Sequence, residues 1–163
     1  NSVTFEPGET TTSQQHNWIL FRYAEILLNY AEAMVNAYGD PDYTGSYSLS
    51  ARDAVNQVRN RGDVKMPAYP ADMSKDAFLK RLKNERRVEF AFEGQRFWDL
   101  RRWKELDDMQ NIYKVKVVKQ TDGTIQYTKA LHATYNIQDK MYFYPISNTE
   151  LFKNHKLVQN TGW

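Results

Sequence analysis

Between Ile19 and Tyr38 the apolar residues recur at steps of three and four: Leu20, Tyr23, Ala24, Leu27, Ala31, Met34, Val35 and Tyr38. That is the period of one face of an α-helix, not the two-residue period of a strand. Ile26, Tyr30, Ala33 and Ala37 add a second apolar line, so the spacing predicts a helix greasy on more than one side and held between layers. The small residues Ala24, Ala31, Ala33 and Ala37 would let neighbouring helices approach closely. Gly39 supplies a helix stop, with Pro41 just beyond it. The first long element of the chain is therefore helical.

A loop rich in Asp, Tyr, Gly and Ser covers residues 39–49. Ser50-Ala51-Arg52-Asp53 resembles a capping box and opens a second helix predicted to end at Gly62. Two helices joined by one loop form the antiparallel hairpin from which helical repeats are built, and one clear copy is visible. After Pro67 and Pro70, Ser74 is a good N-cap for a helix running to about Phe92. Gly94 interrupts it, and a further helix is expected from Gln95 to about Leu106. Beyond residue 110 the period changes. Tyr113 to Val117 alternates, Asp122-Gly123 is a turn signal, and Thr124 to Thr128 returns as a hairpin. Met141 to Pro145 reads as one extended strand ended by Pro, and Asn148 to Phe152 as a helical turn. Residues 1–17, with Pro7, Gly8 and a Thr/Ser/Gln-rich run, read as an irregular lead-in.

Composition narrows the function classes. Charged residues make up 26% of the 163 with both signs mixed, and the formal net charge is +2. That balance gives no electrostatic reason to expect a nucleic acid. There is no Cys, which removes disulfides, thiolate metal sites and Cys nucleophiles. No uninterrupted apolar run reaches the roughly 18 residues a membrane helix needs, and Arg22, Glu25, Asn29, Glu32 and Asn36 break the longest one. No signal peptide is visible and the first residue is Asn1 rather than Met, so the N-terminus looks cut.

The usual catalytic signatures are missing, including Gly-x-Gly-x-x-Gly, a phosphate-cradling loop and Gly-x-Ser-x-Gly. His16, His132 and His155 lack paired zinc spacing and read as surface or loop residues. Glu85, Glu89 and Glu93 sit at four-residue steps on one helix face. Such neighbours are about 5–6 Å apart, close to the roughly 5–5.5 Å of a retaining glycosidase pair. Yet they project the same way from one helix, whereas catalytic carboxylates flank the sugar. Arg86, Arg87 and Arg96 are near enough to pair with them and hold them ionised, so an ion-pair network between helices is expected. Asp40-Pro41-Asp42-Tyr43-Thr44-Gly45 copies the start of a calcium loop, but Ala51 stands where a bidentate Glu is needed, which leaves an Asx-rich turn. Tyr43, Tyr47 and Tyr69 lie in polar loops without periodicity. Exposed rings of that kind suit stacking on a sugar; the alternative is that they fold back over the helices. Trp18 reads as a packing residue leading into the first helix, and Trp98 and Trp103 read as core. No catalytic residue, metal ligand or cofactor site is expected.

Three stretches together resemble the SusD/RagB family of outer-membrane nutrient-binding lipoproteins. The first runs from Arg22-Tyr23-Ala24-Glu25 through Leu27-Leu28 to Tyr30-Ala31-Glu32-Ala33. The second starts at Glu85-Arg86, passes Glu89 and Glu93-Gly94-Gln95-Arg96, and ends with Trp98-Asp99-Leu100-Arg101-Arg102-Trp103. The third is the end of the chain: Tyr144-Pro145-Ile146, Glu150-Leu151 and Gln159-Asn160-Thr161-Gly162-Trp163. Ser147 and Thr161 stand where Pro is common, which affects only local stiffness. The resemblance implies a mainly α fold of tetratricopeptide-like helix pairs, with a short β-hairpin and irregular C-terminal segments. It implies that residues 18–163 are the C-terminal domain of a longer protein. The whole protein would be an outward-facing lipoprotein of the outer membrane, touching the membrane only through a lipid anchor outside this fragment. It would bind an oligosaccharide or polysaccharide without catalysis and pass it to a SusC-type TonB-dependent transporter. The matched motifs are framework motifs, so no ligand residue carries over. The competing reading is a helical-repeat scaffold that binds a protein partner and no sugar.

Overall fold

The computed structural model describes residues 19–163, so the expected lead-in at 1–17, His16 and Trp18 lie outside the described residues. Helices α1 (Tyr23–Tyr38), α2 (Ala51–Arg59), α3 (Lys75–Glu89), α4 (Gln95–Arg102) and α5 (Asn148–Lys153) accompany one antiparallel pair, β1 (Asn111–Lys119) and β2 (Ile125–Thr134). The protein is thus mainly helical with a small two-stranded sheet. It divides into two compact units, Asn1–Glu89 and Phe90–Trp163.

In the first unit α1 packs against α2 and α3. Leu27, Leu28, Ala31, Met34 and Val35 of α1 meet a core completed by Ala51, Ala54, Val55, Val58, Phe78 and Leu82, all buried. α1 begins at Tyr23, later than periodicity predicts. Arg22 is extended and gives no side-chain cap, and nothing from Ile19 to Phe21 is a capping residue type. The helix is buried on one face. Of the second apolar line, Ile26, Ala33 and Ala37 are exposed, and Tyr30 is half-buried with its hydroxyl donating to Leu49 O at 2.6 Å. Gly39 closes α1 as predicted, at φ 78° with its N–H on Val35 O. The capping box of α2 forms in both directions: Asp53 N–H donates to Ser50 Oγ at 3.0 Å, and Ser50 N–H to Asp53 Oδ2 at 3.2 Å. α2 ends at Arg59 and α3 at Glu89, short of the expected Gly62 and Phe92. Phe92 instead adopts φ 68°, a left-handed conformation that a helix cannot contain.

In the second unit α4 stops at Arg102, short of the expected end at about Leu106; Lys104 turns left-handed at φ 57°, and a separate 3-10 turn follows at Leu106–Met109. α4 buries Asp99 and Leu100. Trp98, one residue away and so about 100° around the helix, is 57% exposed, and Trp103 is only half-buried. The expectation that both tryptophans are core is corrected accordingly. The hairpin is longer than its alternating segment, pairing Asn111 with Thr134 through to Lys119 with Ile125, with a bulge at Ile112/Tyr113. One face carries Tyr113, Val115 and Val117 opposite Leu131, Lys129 and Tyr127, and the other carries Lys114 and Lys116 opposite Ala130 and Thr128. Asp122 shapes the turn by accepting from Thr124 N–H at 2.9 Å. The strand expected at Met141–Pro145 is absent. Asp139–Tyr142 is a 3-10 turn, its N–H groups bonding locally, because β-propensity without a strand to pair against does not make a strand. The chain end closes on this segment. Ile146 N–H donates to Gln159 Oε1 at 2.8 Å, Gln159 Nε2 donates to Ile146 O at 2.9 Å, Asn160 Nδ2 to Tyr144 O at 2.6 Å, and Trp163 Nε1 to Lys140 O at 3.0 Å.

Candidate functional site

Tyr43 and Tyr47 come together with a third ring that the sequence placed in the helix stripe, Tyr38. Tyr38 and Tyr43 stack at 4.2 Å between centroids and 22° between planes, and the Tyr38 and Tyr47 hydroxyls lie 3.1 Å apart. That hydrogen bond raises the Tyr38 hydroxyl above its ordinary pKa. All three rings are exposed, at 44%, 38% and 48%. Their position at the end of α1 was available from the sequence, since Tyr38 immediately precedes the helix stop.

Backbone and charge fix this loop. Asp40 Oδ1 accepts from Asp42 N–H at 2.9 Å, the expected Asx turn. Arg52 of α2 grips both oxygens of Asp42 through Nε and Nη2, and its own N–H donates to Pro41 O at 3.0 Å. The hydrogen bond from Arg52 holds the Asp42 carboxyl below the usual range. Asp42 therefore has a guanidinium where a calcium ion would have to sit. Gly45, at φ 52°, passes so close to Tyr43 that a Cβ there would stand 2.5 Å from the hydroxyl oxygen. Both the left-handed backbone and the close tyrosine ring favour glycine at that position.

Tyr69 does not join the trio. It is 6% exposed, edge-on to Phe78 at 5.7 Å, under the Arg59 guanidinium at 4.9 Å, with its hydroxyl donating to Glu85 at 3.3 Å. Burial, with the Glu85 charge behind it, raises its hydroxyl far above the ordinary value. Its loop folds back over the helices and Tyr69 packs.

The carboxylates of α3 do form an ion-pair network between helices, but with partners other than those expected. Glu89 accepts from Arg22 Nη1 at 2.8 Å and from Arg61 Nη1 at 2.8 Å, while Arg22 Nη2 also donates to Glu89 O at 2.9 Å. Glu85 pairs with Arg59. Arg86, buried, donates to Asn29 Oδ1 at 2.6 Å, and Arg96 reaches Asp108 at 3.1 Å. Burial alone would raise the Glu89 carboxyl, but the hydrogen bonds from Arg22 and Arg61 outweigh it and hold the group below its ordinary pKa. A carboxylate kept ionised this way is unfit as a general acid. Near the end of α4, Arg102 bonds Asp99 at 2.9 Å and lies over the Trp103 ring at 4.6 Å. Glu25 and Glu32 sit half-buried on α1, Glu93 and Gly94 in the turn ahead of α4.

Beside this network an open cleft of about 1070 Å3 runs along the start of α1 and one face of α2. Tyr23, 70% exposed, stands on one wall. Asp53, Asn56, Gln57 and Asn60 line the other, above apolar Leu27 and Val58. Their steps of three and four residues along α2 are a signal of this face in the sequence. Amides and carboxylates above an apolar floor, with an aromatic wall, can hold a polyhydroxylated molecule by hydrogen bonds and stacking, with no covalent step.

Against this geometry the comparisons are consistent. The model of the SusD family matches residues 3–163. Two SusD-like proteins of Formosa agariphila are 37% and 31% identical over 52% and 60% of the chain. The crystal structure of a SusD-like protein from Bacteroides fragilis superposes on 97% of the chain with a TM-score of 0.76 and 31% identity. A SusD superfamily protein from Bacteroides vulgatus covers 88% with a TM-score of 0.56 and 25% identity. The chain spans 16% and 19% of the two Formosa proteins, and 28% and 27% of the two Bacteroides chains. The chain belongs to the SusD family, whose members are in general non-catalytic nutrient-binding proteins of the outer-membrane surface. No helix among the described residues is long and apolar enough to cross a membrane.

Proposed function

We propose that this chain is part of a nutrient-binding subunit that captures oligosaccharide or polysaccharide at the cell surface without cleaving it and hands it to a SusC-type TonB-dependent transporter. The observation that carries this reading is the family match along residues 3–163. The protein would be held on the outward side of the outer membrane by a lipid. Two surfaces of the first unit suit the ligand: the cleft lined by Tyr23, Asn56 and Asn60, and the exposed rings of Tyr38, Tyr43 and Tyr47. A pyranose would stack its C–H face on a ring while amides and carboxylates take its hydroxyls.

Affinity electrophoresis against a panel of polysaccharides tests the proposal. The expected result is retardation in at least one gel with no shortening of the polymer, and about tenfold weaker binding in Tyr43→Ala, the size of one lost stacking contact. Release of shorter sugars would show a hydrolase instead. A second reading, a helical scaffold for a protein partner, is favoured by the packed α1–α2 pair. It wins if no polysaccharide retards the protein while an outer-membrane barrel copurifies with it.

A further inference from the structure

Every lining residue of a smaller cavity, about 300 Å3, belongs to the second unit. Phe97, Leu106, Met109, Ile112, Ile137 and Met141 make most of its wall, and Arg101 and Asn136 add polar groups. Arg101 is the unusual member. Its guanidinium carbon lies 3.5 Å from the Phe97 ring centroid and 5.5 Å from that of Tyr144. Nη1 donates to Phe97 O at 3.2 Å, while Nε is buried with no partner. Arg22, Arg52, Arg59, Arg61, Arg96 and Arg102 each have a carboxylate, whereas Arg101 has none among the described residues. Its place in the last turn of α4 explains the bond to a helix carbonyl. It does not explain a half-buried cation, backed by aromatic rings, without a counter-ion.

We propose that this cavity is a binding site for a small aromatic carboxylate, whose ring fills the apolar space and whose anion neutralises Arg101. The volume stands at the small end of ligand pockets, which run from roughly 300 Å3 upward. The mainly apolar wall disfavours a sugar, whose hydroxyls would lose their water partners there. One cation with unused donors selects one anion, and a planar carboxylate matches a guanidinium in shape as well as charge.

Calorimetric titration of the chain with 3-phenylpropionate and with its uncharged amide decides the matter. Saturable one-to-one binding is expected, with the acid at least about tenfold tighter than the amide, one charge-assisted hydrogen bond's worth. Arg101→Gln should remove the preference, and Arg101→Lys should keep part of it. Met141→Trp, which fills the cavity and leaves the charge, should abolish binding of both compounds. Equal affinity for acid and amide, binding unchanged in folded Met141→Trp, or no saturable heat at millimolar ligand would each overturn the proposal.

Discussion

Among the described residues, twelve of the fifteen buried apolar side chains lie between Leu27 and Leu82, and only Phe90, Leu100 and Leu106 lie beyond them. The first unit closes a helical core and sets charged pairs around it: Arg22 and Arg61 on Glu89, Arg59 on Glu85, Arg52 on Asp42. The second holds a thinner core and relies on a hairpin, short turns and hydrogen bonds between the chain end and residues 140–146. Both are specified by family motifs, but the physics differs. Motif residues of the first unit act by burial and ion pairing, and those at the end of the second by donating to backbone carbonyls.

This contrast can be broken at its strongest point first. Phe78 is fully buried, and Phe78→Ala should cost about 4 kcal/mol in urea unfolding followed by far-UV circular dichroism. A loss below about 1 kcal/mol would mean that the helical core is not what stabilises the first unit. Next comes Glu89, whose side chain is 9% exposed while its partner Arg61 is 40% exposed. Glu89→Ala should cost about 3 kcal/mol, the lower end for breaking a buried pair, since Arg22 and Arg61 are left facing each other.

The same carboxylate sets an acid limb. The folded state holds Glu89 and Asp42 below their unfolded pKa values. Their contribution is therefore fully present above about pH 4.3, the unfolded carboxylate value, and is lost as pH falls through the depressed folded values. The urea midpoint should drop across that window in the parent, and the drop should be shallower in Glu89→Gln. A variant with the parent's pH profile would remove Glu89 from the account. Gly45→Ala should cost about 1 kcal/mol for the left-handed backbone and force the Tyr43 ring to move. Its readout is loss of the tyrosine near-UV dichroism that the Tyr38–Tyr43 stack gives. The smallest effect is expected on the hairpin. Val117 is 57% exposed, and Val117→Thr should change stability by less than about 0.5 kcal/mol. A larger loss would show the hairpin face to be part of a core.

Local chemistry is legible in the sequence, whereas features set by tertiary geometry are not. The helix stop at Gly39, the capping box at Ser50 and the Asp122-Gly123 turn are local chemistry, and each appears where its residues stand. The helix ends at Glu89 and Arg102 do not follow from the sequence, because apolar periodicity continues past the point where the backbone turns left-handed at Phe92 and Lys104. The type of Trp98 suggests a core residue, but an eight-residue helix has one narrow buried face and Asp99 and Leu100 occupy it. The network around Glu89 was foreseen, but its partners were not. The sequence suggests its neighbours as partners, whereas Arg22 and Arg61 arrive from 67 and 28 residues away. The tyrosine trio was two-thirds visible, because loop rings stand out and a helix-terminal ring does not. The cleft along α2 is carried by the polar face of a helix, which apolar periodicity does not mark.

A two-stranded ribbon has an open edge on each side, a row of N–H and C=O groups onto which another chain can add a strand. The lysines of this hairpin act as its guard. In a stack of identical ribbons Lys114, Lys116, Lys119 and Lys129 would each meet their own copies two strands away, at roughly 9.6 Å, twice the spacing of neighbouring strands. That is comparable to the Debye length of about 8 Å at physiological salt, so part of the repulsion survives there. Asp122, in the turn, is the one acidic residue in the hairpin to offset them. Fibre growth from this edge is therefore opposed by charge, and raising the ionic strength is the condition under which that protection weakens.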